Sequence, residues 1–314
     1  MSAAVTVVRR AASQGLLVWV LVLAVAVQAA VTSEFFLTSL NLSNATGQMV
    51  PLTFASMGQM CAILVGAIDL SVGATARVAA LLVAGFINDE PARIVPVILG
   101  VLVVSALIGA VNGAMVVRLR IHPLIATLIS FNLLSGAALA YTTGPVGGIP
   151  SEMVAAMHER FLGLPYPVWV VVALLVALGT MLTRTRFGRN AYAVGGDTEV
   201  ARRAGVNADA VRFRMLVLCS VLAGAAGIVL AFRQGIGDPR VAQGLELESI
   251  VAVVIGGISI FGGRGSLLGM LGGVVFLNIL RNAMNLQGID PLLQQVVSAA
   301  LVIVAVALFT RREG

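Results

Sequence analysis

The sequence contains no lysine; all 20 basic residues are arginine. A P-loop nucleotidase needs the lysine of G-x-x-x-x-G-K-[ST] on its β- and γ-phosphates, so the chain does not hydrolyse ATP by that route. Schiff-base chemistry on lysine is excluded on the same ground. Charge of either sign is scarce. Charged residues are 11% of the 314, against about 25% in soluble proteins. The two cysteines, Cys61 and Cys219, lie inside apolar stretches and read as packing residues, not as a disulfide or a metal set. His122 and His158 have no partner at ligand spacing, so the sequence assigns no metal site and no cofactor.

Apolar residue types make up 59% of the chain, with 34 glycines besides, and the mean hydropathy is +1.02. No single water-soluble core hides that much apolar surface, so the solvent for most of it is the lipid bilayer. Apolar runs fall at 16–31, 45–66, 72–87, 94–117, 124–141, 166–182, 213–232, 249–261, 267–284 and 292–309. Each reads as a helix, because an unpaired backbone group in hydrocarbon costs several kcal/mol and the runs lack the alternation of a barrel. The expected fold is therefore all-α: a polytopic membrane protein of about ten transmembrane helices, one transmembrane domain over 1–314. The net charge of +6 would point to nucleic acid in a soluble protein; here it reads as arginine on cytoplasmic loops, with no nucleic acid as partner. Threaded with its start inside, the chain puts Arg93, Arg160, Arg233, Arg240 and Arg281 outside and the other fifteen of its 20 arginines inside. An odd number of spans would strand Arg9 and Arg10, or Arg311 and Arg312, on the wrong side. Both termini are accordingly expected in the cytoplasm. Arg9 and Arg10 before the first run also fit a cleavable signal peptide, but the run's length favours a retained span.

Glycines sit within and between the runs. Gly109 with Gly113, and Gly269 with Gly273, have the G-x-x-x-G spacing that lets helices approach closely in lipid. The chain also echoes itself. Val65–Gly73 matches Ile255–Gly263 with Gly, Ile and Gly in register, and Ala114-Met115 before His122-Pro123-Leu124 matches Ala283-Met284 before Asp290-Pro291-Leu292 across one gap. Approximate repeat halves at 45–141 and 213–309 follow. A five-span unit would make them an inverted repeat, a common transporter scaffold.

Asp69 is the most pointed residue of the first half, with apolar sequence on both sides and glycine at the break. An acid inside a membrane segment costs about 2.5–3.5 kcal/mol on insertion scales and marks a solute path or a paired structural site. Asp69 either lines a path or, with Ser71 beside it, caps the helix that follows; the second reading is favoured. Asn112, Asn132 and Asn278 are further polar residues within spans, each contacting solute or bridging helices, with bridging the default. The segment 183–212 is the most specific feature. Asp197 is a good N-cap, Glu199 suits the first turn, Ala201, Arg202 and Arg203 follow, and Gly205 ends the helix. Such a helix of about two turns is too polar to insert. It is either a tether to anionic lipid or a docking helix for a cytoplasmic partner. On the outside, 142–165 and 233–248 are solvated connectors or a surface for a delivery protein recognised by complementary charge; residues 151–159 are expected to form a short surface helix.

These residues resemble a known family, the membrane permease subunits of ATP-binding-cassette importers for ribose, xylose and arabinose. The matching pieces are Gly66-Ala67-Ile68-Asp69-Leu70-Ser71-Val72-Gly73, Thr185-Arg186-Phe187-Gly188-Arg189 leading to Ala193-Val194-Gly195-Gly196-Asp197, Ala201-Arg202-Arg203-Ala204-Gly205-Val206, and 252–265. Ala67 departs from the second glycine usual there. The resemblance implies a type II importer-like permease of a bacterial inner membrane. It implies a second permease chain, expected as a homodimer, a separate cytoplasmic ABC ATPase that binds the ATP, and a periplasmic sugar-binding protein. It also implies that Asp197, Glu199, Ala201, Arg202 and Gly205 belong to the coupling helix seated on that ATPase. An ion-coupled secondary transporter is the alternative from another class; it would show a relay of intramembrane acids, where Asp69 stands well inside and Glu246 and Glu248 only at an edge. A passive channel is a third reading. Amino acids, nucleosides or a signalling furanose are alternative cargoes within the family, and with 5% aromatic residues stacking contacts to a sugar would be sparse.

Overall fold

A computed structural model describes residues 18–290 together with 293, 294, 296, 297 and 300. The pair Arg9–Arg10, most of the last expected span and the pair Arg311–Arg312 lie outside the described residues. Helix α1 is Val18–Thr32. Next come α2 Ser39–Leu64, α3 Val72–Ile87, α4 Ile94–Val117 with a 3-10 turn at Pro91–Arg93 before it, and α5 Pro123–Tyr141. A short α6, Ser151–Ala156, and a hairpin of β1 Arg160–Phe161 with β2 Leu164–Pro165 lead into α7, Tyr166–Arg184. The rest is α8 Arg186–Gly196, α9 Thr198–Arg203, α10 Ala208–Gln234, α11 Leu245–Ile255 and α12 Leu267–Leu286. The hairpin pairs Arg160 with Pro165 and Phe161 with Leu164, and its turn residues Leu162 and Gly163 both hold positive φ, as a tight I′ turn requires.

Helix boundaries follow from local chemistry. Thr38, Thr185, Asn207 and Ser266 each accept the backbone N–H three residues on, opening α2, α8, α10 and α12, and so satisfy a donor no helix turn can reach. Proline stands in the first turn of α5 and α7, where its missing N–H costs nothing. Asn88 and Gly235, both left-handed, close α3 and α10.

Among the described residues, five segments are long and apolar enough to cross a membrane: Pro91–Val117, Pro123–Tyr141, Tyr166–Arg184, Ala208–Gln234 and Leu267–Leu286. Their burial separates axis from rim. The most apolar stretch of Ala208–Gln234 is 61% buried, that of Pro91–Val117 only 17%, so α10 runs up the middle and α4 lies at the rim. Helix α2, 26 residues long, is buried all round from Val50 to Leu64. It packs with α3 and α4 on α10. Small residues set those distances. A Cβ on Gly58 would stand 2.7 Å from the Cys219 carbonyl oxygen, and one on Gly109 2.7 Å from Val217 Cα. Gly269 and Gly273 lie as tightly against the backbone of α11 at Gly256 and Ala252. Both G-x-x-x-G pairs are thus helix-packing sites.

Helix ends meet at two levels. At one, the end of α2, the α8–α9 segment and the chain before α12 are bonded together; Gly263 N–H donates to Leu64 O at 3.0 Å and Arg212 reaches Thr198. At the other, the end of α3 and the two long connectors join: Asp89 N–H to Gly148 O at 3.0 Å and Ile149 N–H to Gly235 O at 2.8 Å, with a bridge between Val146 and Gly237.

Three expectations need correction. The run 249–261 is not one helix. Helix α11 stops at Ile255, because Gly256 and Gly257 let the chain turn against α12, Gly257 at φ +82°. Arg77 is not in a loop. It sits in the second turn of α3, 6% exposed, and its Nε donates to Val241 O at 3.3 Å, so it does not belong among the loop arginines. Helix α9 is also shorter than two full turns, with six residues, while the segment before it forms the 11-residue α8.

Candidate functional site

The break between α2 and α3 begins at Gly66, φ +73°. Extended backbone here would leave N–H and C=O groups unpaired, and side chains take over. Leu70 N–H donates to Thr127 Oγ1 at 3.1 Å, and that hydroxyl donates to Ile68 O at 3.2 Å. Gln59 of α2, with its amide turned to satisfy both ends, donates to Asp69 O at 2.9 Å and accepts from Asp69 N–H at 3.2 Å. Asp69 is wholly buried. Its Oδ1 accepts from Ser71 N–H at 2.8 Å and Ser71 Oγ at 2.6 Å. Ser71, not Asp69, is the N-cap of α3, and its own side chain makes no capping bond; Asp69 fixes the cap one step back. Asn112 of α4 donates to Ser71 Oγ at 2.9 Å and accepts from Ser130 of α5. A chain Asp69–Ser71–Asn112–Ser130 therefore ties the break to two further helices. Asp69 Oδ2 has no hydrogen-bond partner among the described residues, and the buried Cys219 thiol of α10 lies against the same carboxyl. The hydroxyls of Ser56, Thr75 and Ser220, buried on α2, α3 and α10, likewise have no partner among the described residues. The interior around the break is polar beyond what its hydrogen bonds use.

The second break, between α11 and α12, is the segment that echoes the first in sequence, and the two touch. Besides the Gly263–Leu64 bond, a Cβ on Gly262 would stand 2.8 Å from Gly66 N and 3.1 Å from the Gly195 carbonyl oxygen. Gly195, at the end of α8, lies directly against Leu64 O and Gly263 N. Tyr192 of α8 donates its hydroxyl to Gly265 O at 3.1 Å, and burial pushes that phenol above its ordinary pKa, which keeps it a donor. The second echo is not collinear with the first. Between break and proline the first copy holds α3 and α4, the second only α12, so the gap in the alignment is a whole helix.

Helix α9 stands beside this junction. Asp197 caps it, accepting from Glu199 N–H at 2.9 Å and Val200 N–H at 3.0 Å. Ala201 faces inward, 3% exposed. Glu199 pairs with Arg203 at 3.3 Å and Arg202 with Asp209 at 2.7 Å, both pairs exposed and worth little to stability. Gly205 holds φ +82° with open space around it. Glu199, Val200 and Arg203 are exposed on the face of α9 turned away from the bundle, which no other element covers among the described residues.

The asparagines divide. Asn112 and Asn278 bridge helices, Asn278 Nδ2 donating to Ala45 O of α2 at 3.1 Å. Asn132 is exposed and donates to Leu128 O of its own helix at 2.9 Å, so within this chain it neither bridges helices nor joins the buried cluster. Sequence reasoning passed over Gln59, Arg212 and the reciprocal pair Asn41–Asn282 at 2.9 and 3.0 Å. It also placed Glu246 at an edge. In the structure the connector after α10 descends along α3, Gly237 lying against Ala80–Ala84 and Ala242 against Gly73. That brings Glu246 Oε2, buried without a hydrogen bond among the described residues, onto Gly73 near Arg77. The signal available was an Arg–Glu pair inside apolar sequence; its two members are too far apart in the chain for spacing to join them. No group of three or more metal-binding side chains occurs among the described residues.

A multi-pass helical bundle with two apposed helix breaks and a polar interior fits a membrane transport permease. The chain belongs to the family described as branched-chain amino acid transport system / permease component, whose model matches residues 41–306. It is 34% identical to the ribose import permease of Escherichia coli K12 over 298 residues, covering 93% of this chain and 92% of that one. It is 39% identical to the L-arabinose transport system permease of the same strain over 202 residues, 64% and 61% of the two chains. With the D-allose transport system permease it shares 32% over 294 residues, 92% and 89%. No solved structure matches the chain.

Proposed function

We propose that the chain is the membrane-spanning subunit of an ATP-driven importer that moves a monosaccharide inward by alternating access. Ribose, arabinose and allose in the names of its relatives share the polyhydroxylated ring and favour that cargo class. The observation that carries the reading is the position of α9: capped, exposed on one face, and bonded on the other to the level where both helix breaks meet. A cytoplasmic ABC ATPase docks on that face, which is the coupling site made of Asp197, Glu199, Ala201, Arg202 and Gly205. In this reading the breaks lie on the inner side, and an inner-membrane protein of ten crossings, the half-helix α11 counted as part of one, keeps both termini in the cytoplasm. The joined outer connectors receive a periplasmic sugar-binding protein, and a second copy completes the pathway. The apposed breaks are the cores of an inverted repeat from which one copy has lost collinearity. Asp69, Ser71 and Asn112 hold the first break, Asn278 ties α12 to α2, and Asn132 faces lipid or the second copy.

Proteoliposomes test this. Uptake of labelled ribose, arabinose or allose is expected only with the ATPase, the binding protein and internal ATP. Accumulation by the purified chain on a proton or sodium gradient alone would refute it in favour of a secondary transporter.

A further inference from the structure

Helix α9 has few ways to influence the bundle. Its ion pairs are exposed and local. One polar contact runs deeper. Arg212, in the second turn of α10 and half-buried, donates through Nη2 to Thr198 Oγ1 at 2.8 Å and through Nε to Val65 O at 3.3 Å. Thr198 is the first residue of α9. Val65 is the last residue before Gly66, where the backbone leaves α2 with a left-handed φ. A planar guanidinium holds both partners in one fixed fork. Beside it, the glycine contact of Gly195 on Leu64 and Gly263 leaves no side chain to absorb a displacement. From Gly66 onward the chain runs through Ile68 and Leu70, both held by Thr127, and through Asp69, held by Gln59, to Ser71.

We propose that Arg212 is a positioning residue for transport: it links α9 to the Gly66 hinge, so that displacement of the docking helix moves the Asp69 break. The inference rests on α9 being the ATPase contact. The plain competitor is that Arg212 merely caps the end of α2, as basic side chains do at helix C-termini. The two differ at Thr198, which a cap does not need.

The test uses the full complex of membrane chain, ATPase and binding protein in liposomes, with whichever of ribose, arabinose and allose the wild type takes up. Thr198→Val and Arg212→Gln are each expected to lower sugar moved per ATP hydrolysed about tenfold, the size of a typical coupling free energy, with ATPase rate and ATPase co-purification retained. Thr198→Ser is expected to restore the ratio. Hydrogen exchange gives a second readout in the wild type and Thr198→Val: protection of residues 64–71 and 258–265 should respond to nucleotide on the ATPase in the first and not the second. The inference falls if Thr198→Val couples as well as wild type. It falls also if either variant loses its ATPase, since docking and not transmission is then impaired. If the wild-type chain neither binds an ATPase nor needs one, the functional reading fails with it; that outcome is recognised in the wild type alone, before any variant is compared.

Discussion

Removing the carboxyl of Asp69 offers the sharpest measure of what holds the first break. In Asp69→Ala, Ser71 loses the acceptor of its N–H at 2.8 Å and of its hydroxyl at 2.6 Å, both in a wholly buried site. A buried donor left without a partner costs about 1–3 kcal/mol, so two predict a loss of about 2–6 kcal/mol. Asp69→Asn keeps the accepting oxygen and replaces only Oδ2, which has no hydrogen bond among the described residues. Its cost is one unpaired amide, about 1–2 kcal/mol. Unfolding of the detergent-purified chain by increasing SDS, followed by tryptophan fluorescence, should rank wild type, then Asn, then Ala, with the larger step between the last two. Equal midpoints for Ala and wild type, or Asn as damaging as Ala, would refute the hydrogen-bond account. Uptake by the same variants then separates the two roles. A capping residue lets Asn transport, whereas a path residue that needs its acid stops transport in Asn without unfolding it.

Gly205→Val forces a β-branched residue into φ +82°, a strain of about 1–2 kcal/mol; it should detach the ATPase in pull-downs while the chain still inserts, and normal co-purification would count against the docking role. Asn282→Leu breaks both bonds of the Asn41–Asn282 pair and should cost about 1 kcal/mol in the same SDS titration, the scale of interhelical hydrogen bonds in lipid. Asn132→Leu should leave stability within about 0.5 kcal/mol, because its one bond is to its own helix; lost transport in a stable variant would place Asn132 on the pathway or at the contact with a second copy.

Helix limits were most legible where charge or proline bounds an apolar run. The expected 72–87 and 94–117 are α3 and α4 to the residue, since Asn88 and Pro91 on one side and Arg118 on the other leave little choice. The reading overran at α11, because Gly256, Gly257, Ile258 and Ile260 continue an apolar run whether the chain is helical or coiled. Hydropathy reports burial, not backbone conformation. Arg77 was miscounted for the converse reason: a lone arginine reads as an interface residue, yet the Val241 carbonyl and Ser135 hydroxyl receive it inside. Asp69 and Ser71 were found together because they are neighbours in sequence. Arg212 and Gln59 were missed because their partners lie elsewhere in the chain, and the junction of Leu64, Gly195 and Gly263 depends on three distant segments meeting.

With 11 residues, α11 spans about 16 Å, roughly half the thickness of a hydrocarbon core. The remaining depth is taken up by the connector 236–244, which descends along α3 from the level of Ala84 to Gly73 without helical structure, tolerable only while protein sheathes it. Acyl chains can therefore never be admitted to that wall, whatever stage the cycle has reached. The gate must swing with α3 clasped to this ribbon as one plank, and parting of the walls is confined to seams that water, not lipid, will fill.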